Sequence, residues 1–366
     1  MNRTEVAIAG AGIIGLSAAL ELAAAGRQVT VFERRRAMSE ASWAAAGMLA
    51  ASDPENPPAL RPLAELSRAL YGRFLERVAE LSGMAIPIRT TRTLQGAAHL
   101  PAGVCEADAA TLDALAPGIV ANGRRFFLLE EESFNPRDLA QALPSAARAA
   151  GVTIHEENPV LGSREGQDGA ELSTAAGDWS ADALIHAAGA WTTNLTGIAG
   201  APRKGQMAEV YLPGPRQPEA VLRTPEIYLV PRGGGRIVIG ATVEDAGFDK
   251  QVDGIAIEGL METAAALWPP IREAQIVATW AGLRPATPDD LPVIDSLTNC
   301  DPLEDFREDM AGPRRRYRWV AAGHFRNGIL LAPGTALLLR QMILEEPLSI
   351  DLSPFRCGRF AFSSVQ

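Results

Sequence analysis

The stretch Val6–Gly15, "VAIAGAGIIG", decides how the N-terminal part of the chain folds. Val6 to Ala9 is a short apolar run of the kind that forms a buried strand. Gly10, Gly12 and Gly15 follow in the spacing G-x-G-x-x-G. Behind them Ile13, Ile14, Leu16, Leu20 and Ala23 recur with a helical period. Gly26 ends that helix, and Val29 to Phe32 reads as a second strand closed by Glu33. Gly10 allows the tight turn, Gly12 lets the backbone approach a pyrophosphate, and Gly15 lets helix and strand pack closely. The helix start offers unpaired N–H groups to phosphates, and the Glu33 carboxylate accepts hydrogen bonds from a ribose. The acid disfavours a 2′-phosphate, so NAD or FAD is expected rather than NADP, and the motif does not choose between them. The first residues superficially imitate a signal peptide, but Glu5 and Glu21 interrupt the apolar run and a second strand follows. A cytoplasmic βαβ start is the expectation.

The rest of the chain bounds this reading. Its 366 residues exceed what one core usually supports, so two domains are expected. Hydrophobic residues make up 47% and charged residues 21%, an ordinary globular balance. A formal net charge of -10 argues against nucleic acid as partner. The two basic runs, Arg34–Arg36 and Arg314–Arg318, read as solvated turns beside strands. No apolar run is long enough for a transmembrane helix. Cys105, Cys300 and Cys357 are far apart and odd in number, which suggests neither a zinc site nor a disulfide framework and fits a reducing compartment. His99, His155 and His186 have no metal-ligand spacing and read as structural.

Small residues recur where a flat ligand could approach. "ASWAAAGMLAA", Ala41–Ala51, reads either as an Ala-rich helix or as backbone passing close to a ring system, since Gly47 costs a helix about 1 kcal/mol. "ADALIHAAGAWT", Ala181–Thr192, reads as a buried strand ending in Ala187, Ala188 and Gly189. Arg284, in "WAGLRPATPDDLPVI", and Arg326, in "AAGHFRNGIL", are delivered by apolar or small segments. Arginines brought into a core ask for an anion. That anion is either an internal acid such as Asp289 or Asp290, or a carboxylate ligand gripped by two parallel hydrogen bonds.

Taken together these segments resemble the glycine oxidase and D-amino acid oxidase group of FAD-dependent enzymes, closest to its thiamine-pathway branch. The resemblance rests on "VAIAGAGIIGLSAA" with Glu33, "AAAGML" (Ala44–Leu49), "YLVPR" (Tyr228–Arg232), "IVIGAT" (Ile237–Thr242), "WAGLRPATPDDLPVI" (Trp280–Ile294) and "AAGHFRNGILLAP" (Ala321–Pro333). They keep their order over nearly the whole chain. The resemblance implies an α/β protein, α+β overall: a Rossmann-like FAD-binding domain with an inserted, mainly antiparallel substrate domain. It implies FAD as cofactor, contacted by Gly10, Gly12, Ile13, Ile14, Gly15, Glu33, Arg34, Ala41, Ser42, Ala46, Gly47, Met48, Val160 and Gly189. Gly323, His324, Phe325, Asn327, Gly328, Ile329 and Leu330 are expected to join them. Arg284 would hold a substrate carboxylate, with Tyr228 donating a further hydrogen bond and Arg326 lying beside substrate and flavin. Glu226 stands where relatives carry histidine, and Val243 where a methionine occurs; both leave the exact amine open.

The implied reaction is oxidation of a small α-amino acid, glycine foremost, by O2 to the 2-oxo acid, ammonia and peroxide, with no residue acting as acid or base. A related oxidase or dehydrogenase of sarcosine, D-amino acids or proline is the alternative. No metal, nucleic acid or membrane partner is expected, and assembly into a homo-oligomer stays open. Segments 1–84, 133–204 and 276–366 are assigned to the FAD-binding domain; 85–132 and 205–275 are assigned to the substrate domain. Within them, residues 60 to 82 read as one long helix, and Pro136 as a helix start.

Overall fold

Asn2–Ala9, Ile13–Ala24 and Val29–Phe32 form strand, helix and strand in a computed structural model that describes residues 2–214, 217–300 and 317–360. In chain order the strands are β1 (Asn2–Ala9), β2 (Val29–Phe32), β3 (Ile88–Thr90), β4 (Thr93–Ala97), β5 (Arg125–Leu129), β6 (Ser133–Phe134), β7 (Thr153–His155), β8 (Val160–Glu165), β9 (Ala170–Thr174), β10 (Gly177–His186), β11 (Ala201–Tyr211), β12 (Val221–Arg223), β13 (Tyr228–Gly233), β14 (Arg236–Gly240), β15 (Gln275–Ala286), β16 (Val293–Ser296) and β17 (Arg318–Ala322). The helices are α1 (Ile13–Ala24), α2 (Ala41–Ala44), α3 (Arg61–Ser82), α4 (Ala109–Leu115), α5 (Pro136–Ala149), α6 (Thr192–Thr196), α7 (Gly254–Leu267) and α8 (Gly328–Ile343).

The first sheet runs β16-β17-β10-β1-β2-β7, with β9 pairing β10 and β8 pairing β9. Its centre is parallel: β10, β1, β2 and β7 lie side by side, Ile8 opposite both Ile185 and Val31. Parallel strands buried on both faces explain the unbroken apolar runs. Ile13, Leu16 and Leu20 of α1 pack with Leu331 and Leu338 of α8 and Leu139 and Leu143 of α5 in one core over this sheet. The second sheet runs β15-β11-β14-β13-β12-β4-β5 and is antiparallel except where β12 meets β4. Leu229, Ile237 and Ile239 turn one of its faces onto Ile257, Leu260 and Ala264 of α7. Its other face, with Met207, Val230, Val238 and Trp280, packs on Ala44 and Ala46. The two sheets therefore meet over the segment that follows α2.

The Rossmann-like half and the antiparallel second sheet agree with the fold class expected from sequence. β15 pairs along its length with β11, so the strand carrying Arg284 belongs to the second sheet; the boundary placed at 276 falls at its second residue. One expectation is overturned. Cys300 and Cys357 form a disulfide, with Cα atoms 5.3 Å apart and a sequence separation of 57. The turns after β16 and after the helix α8 bring together two cysteines that spacing alone could not pair. Cys105 is the free thiol and is exposed. Of the second basic run, Arg314, Arg315 and Arg316 lie outside the described residues. Among the described residues no helix is long and apolar enough to cross a membrane.

Candidate active site

A cavity of about 660 Å³ lies between the two sheets. Three turns from the first sheet form its floor: the one after β1, the one after β10, and the one after β17. At the first, Gly10 adopts φ +109, and a Cβ there would lie 2.4 Å from the Ala187 carbonyl oxygen of β10's exit. A Cβ at Gly15 would meet the Gly10 oxygen at 2.0 Å, so only glycine lets α1 sit this close to its own turn. The α1 start faces the cavity. Ser42 Oγ accepts from the Ile13 N–H at 2.9 Å, whereas the N–H groups of Gly12 and Ile14 have no acceptor among the described residues. Glu33, at the end of β2, accepts from the Ala11 N–H at 2.8 Å and from the Arg35 N–H at 3.0 Å. Its carboxylate is thereby fixed at the cavity edge beside Val160 and Phe32.

Arg34 crosses this end of the cavity. Its guanidinium pairs with Glu40 at 2.5 Å and lies 3.5 Å from the centre of the Trp191 ring. The loop between β14 and α7 reaches over to the same place: Phe248 stacks on Trp191 at 5.3 Å, and Lys250 pairs with Glu40 at 2.8 Å.

Further along, the wall is the Ala44–Met48 segment. It is not the Ala-rich helix that composition allows, because α2 stops at Ala44. Gly47 has φ +77, and a Cβ there would lie 2.1 Å from the Phe134 carbonyl oxygen; the glycine is required by neighbouring protein backbone. Two side chains of the second sheet hold the segment. The Trp280 indole N–H donates to the Ala44 carbonyl at 3.0 Å, and Arg232 donates to the carbonyls of Ala46 at 2.6 Å and Phe134 at 2.7 Å. Burial pushes Arg232 down to about 10, with Arg137 nearby adding to the shift, so it still carries its charge near neutrality. With the carbonyls taken, the N–H groups of Ala45, Ala46 and Met48 have no acceptor among the described residues. Buried N–H groups are rarely left unpaired.

The far end holds the charged side chains. Arg284 lies across the backbone of Gly205, its Nη1 donating to the Thr242 carbonyl at 3.0 Å. Among the described residues no carboxylate pairs with it, and Asp289, one of the internal acids considered, pairs with Arg359 instead. The Tyr228 hydroxyl sits against this guanidinium. Burial raises the Tyr228 pKa, opposed by Arg284, so the hydroxyl stays a neutral donor. Arg326 is differently placed: it pairs with Glu55 at 2.6 Å and approaches Asp53 at 3.8 Å. Asn327 beside it donates to Asn56 at 2.9 Å, which ties the 53–56 loop to the α8 start. His324 is fully buried, bonded to Thr335 at 3.1 Å, and burial pushes it down to about 3; it is a neutral imidazole.

Most residues singled out from sequence converge on this one cavity, including Arg284, Arg326, Tyr228, Arg34, Ala41, Met48, Gly189, His324, Phe325, Asn327, Gly328 and Ile329. Gly15, Gly323 and Leu330 lie behind it: Gly15 packs on Gly10, Gly323 on Thr287, and Leu330 in the core. Glu40, Asp53, Glu55 and Arg223 border the cavity without having been anticipated. Their only signal was charge inside otherwise apolar or turn-like stretches.

The cavity fits the cofactor that the resemblance implies. Unpaired N–H groups at Gly12 and Ile14 suit a pyrophosphate at a helix start, and Glu33 suits a ribose. The unpaired donors at Ala45, Ala46 and Met48 suit the polar edge of a flavin, and the α8 start at Gly328 and Ile329 lines the same cavity. Residues 5–342 match the family described as "FAD dependent oxidoreductase". The chain is 33% identical over 383 residues to a "Glycine oxidase" of Geobacillus kaustophilus (strain HTA426), covering 98% of this chain and 97% of that protein. The solved structure described as "Crystal structure of glycine oxidase from Geobacillus kaustophilus" superposes with a TM-score of 0.88 at 32% identity, over 99% of this chain and 100% of the other. A "Bifunctional protein ThiO/ThiG" of Synechocystis sp. (strain ATCC 27184 / PCC 6803 / Kazusa) is 35% identical over 376 residues; the match takes in 98% of this chain but 54% of that protein.

Proposed function

This chain belongs to the DAO family of FAD-dependent oxidoreductases, and from that premise we propose that it is an oxidase of small amino acids whose preferred substrate is glycine. The observation that carries the substrate class is Arg284, a guanidinium at the cavity with backbone carbonyls but no described acid as partner. FAD, when bound, supplies the two-electron acceptor that takes a hydride from the substrate Cα at its N5. The chain's own residues position the reactants. With Nη1 fixed by the Thr242 carbonyl and the Tyr228 hydroxyl hydrogen-bonded beside it, the remaining N–H donors of Arg284 would hold a carboxylate. The neutral Tyr228 hydroxyl adds a donor to the same carboxylate. Binding the amine unprotonated leaves its lone pair to form the C=N bond as hydride departs, so no strong protein base is needed. This agrees with the neutral state of His324. Holding the Cα–H in one orientation is worth much of the rate. The imine is then hydrolysed, and the balance is glycine + O2 + H2O giving glyoxylate, NH3 and H2O2.

The same proposal carries the division into a discontinuous cofactor domain and an inserted substrate domain, a cytoplasmic location, and a place in thiamine biosynthesis. The last is supported by the relatives named ThiO. Anaerobic mixing tests the substrate: glycine should bleach the flavin band near ~450 nm, and peroxide should appear when air is admitted. If glycine, sarcosine, D-alanine and D-proline all leave the band unchanged, the amino-acid assignment is wrong.

A further inference from the structure

We propose that Arg232 is a positioning residue for the redox step: its guanidinium, one backbone layer behind the Ala44–Met48 wall, favours the reduced over the oxidised cofactor. The inference rests on the reading of that wall as the place of the flavin's polar edge, and not on which amino acid is oxidised. A hydride delivered to a neutral ring system brings a negative charge with it. In a site closed to water, such a charge is stabilised by a cation or dipole already fixed near it. The cations that line the cavity are otherwise engaged. Arg34 pairs with Glu40 at 2.5 Å, Arg326 with Glu55 at 2.6 Å, and Arg223 lies 3.0 Å from Glu131. Asp53 stands between Arg223 and Arg326, 3.8 Å from each. Arg284 is the anchor of the substrate carboxylate, and His324 is neutral. The α8 start contributes only a partial charge.

Arg232 is the cation left over. It is 8% exposed, and among the described residues no carboxylate forms an ion pair with it. The acids that act on it from a distance are taken by other arginines. Glu209 is held by Arg137 and Arg236, each at 3.0 Å, and Asp138 by Arg89 at 3.3 Å. Arg137, Arg232 and Arg236 thus have Glu209 as their common acid, and Arg137 is kept in place by the Trp43 and Trp280 rings, 4.0 and 4.3 Å from their centres. A buried charge normally keeps a counter-charge. A negative charge arriving on the cavity side of the wall supplies one. The backbone explains how the side chain is aimed. Val230 packs on Ala44 and Ala46, and two residues on Arg232 reaches the same segment from a shift in the β13–β14 register between Pro231 and Gly233. The peptide from Ala46 to Gly47 is trans, so with its carbonyl on the guanidinium its N–H points the other way. Gly47 lines the cavity. The cation polarises this peptide, and its field crosses one layer of backbone with little water to screen it.

The test is the midpoint reduction potential of FAD in the purified holoenzyme, read by equilibration with a reference dye and with no amino acid present. That potential reports how much more tightly the protein holds the reduced than the oxidised cofactor, so a variant that merely loosens the wall weakens both forms and leaves it unmoved. Arg232→Met, which keeps the length of the side chain without its charge, should shift the equilibrium toward the oxidised form by about tenfold or more, a lowering of about 30 mV for two electrons. Arg232→Lys, which keeps the charge and loses the two-pronged grip on the carbonyls, should stay within about threefold of the parent. Glu209→Gln removes the acid that the three arginines share and should shift the equilibrium the opposite way. It leaves Arg232 and both of its carbonyl bonds untouched, so it decides the question even where Arg232→Met does not fold. The inference is overturned if Arg232→Met keeps the equilibrium within about threefold of the parent, if Arg232→Lys falls as far as Arg232→Met, or if Glu209→Gln fails to raise the potential. Because no amino acid enters the measurement, these outcomes stand apart from whether glycine is the substrate.

Discussion

The Arg284 guanidinium rests directly on Gly205: a Cβ added to that glycine would lie 2.2 Å from Nη1 and 2.3 Å from Nη2. The paired strands β11 and β15 set this stacking, since residue 205 faces 282 in the register and Arg284 bends back over it. A side chain at 205 would meet the far end of a flexible arginine, which can move at little cost to the fold.

Gly205→Ala should therefore weaken substrate binding without destabilising the protein. KM for glycine should rise about tenfold or more, while Tm stays within ~2 °C, because the displaced group is a side-chain tip rather than backbone. Arg284→Ala removes a charge-assisted contact worth about 1.5–3 kcal/mol, which corresponds to a ~10–150-fold rise in KM. Peroxide kinetics and a thermal melt check both; an unchanged KM in Arg284→Ala would take that residue out of substrate binding.

Tyr228→Phe deletes one neutral donor beside Arg284. The expected loss is about 0.5–1.5 kcal/mol, or a ~2–12-fold rise in KM. Because burial raises the tyrosine pKa, the hydroxyl is not the group that ionises on the alkaline side. The alkaline limb of a kcat/KM profile should be the same in the variant, and its disappearance would contradict a neutral Tyr228.

His186 and His324 are both buried, and burial holds each at about 3, below the ordinary 6.5; Arg318 adds to the shift at His186. Between these values the unfolded chain binds a proton at each site that the folded chain does not. Stability is therefore full above about pH 6.5 and is lost as pH falls toward 3, by up to ~1.4 kcal/mol per pH unit for each histidine. Urea unfolding at about pH 6, 5 and 4 should show this slope, and His186→Gln should make it shallower. A slope that does not change would mean that His186 is protonated in the fold.

The Cys300–Cys357 bridge predicts one titratable thiol in the native protein, that of Cys105, and three after reduction and unfolding. Closing a loop with a separation of 57 residues restricts the unfolded chain by about 4 kcal/mol in the chain-entropy treatment. A reducing agent or Cys300→Ala should lower Tm by several degrees. Finding three free thiols in the folded protein would show that the bridge is not formed.

The features that sequence revealed are the local ones. The β1–α1–β2 unit announces itself because its periods of two and 3.6, its glycine spacing and its closing acid all fall within a few turns of chain. The antiparallel strands "EIYLVPR" and "GRIVIGAT" are readable for the same reason, with the Gly233–Gly235 turn between them. α7 escaped notice because Gly254 and Gly259 and a run of alanines weaken its polar face, and burial of Ile257 and Leu260 against the second sheet decides it. The disulfide and the Arg223–Asp53–Arg326 group were out of reach, because each joins residues that only the completed fold brings together. The residues alone show Arg284 and Arg326 as two arginines delivered by apolar or small segments, and only the family resemblance gave Arg284 the carboxylate and Arg326 a place beside substrate and flavin. They differ because Glu55 sits on a neighbouring loop that nothing in the chain's periodicity places there.

The cofactor cleft has no wall that belongs to one sheet alone. Ala44 and Ala46 follow the first sheet, yet Trp280 and Arg232 of the second hold their carbonyls, and Phe248 and Lys250 reach back to Trp191 and Glu40. Loosening either sheet strips partners from the other. Unfolding should accordingly be cooperative across the whole chain, and flavin fluorescence should be released over the same temperature interval in which the secondary structure melts.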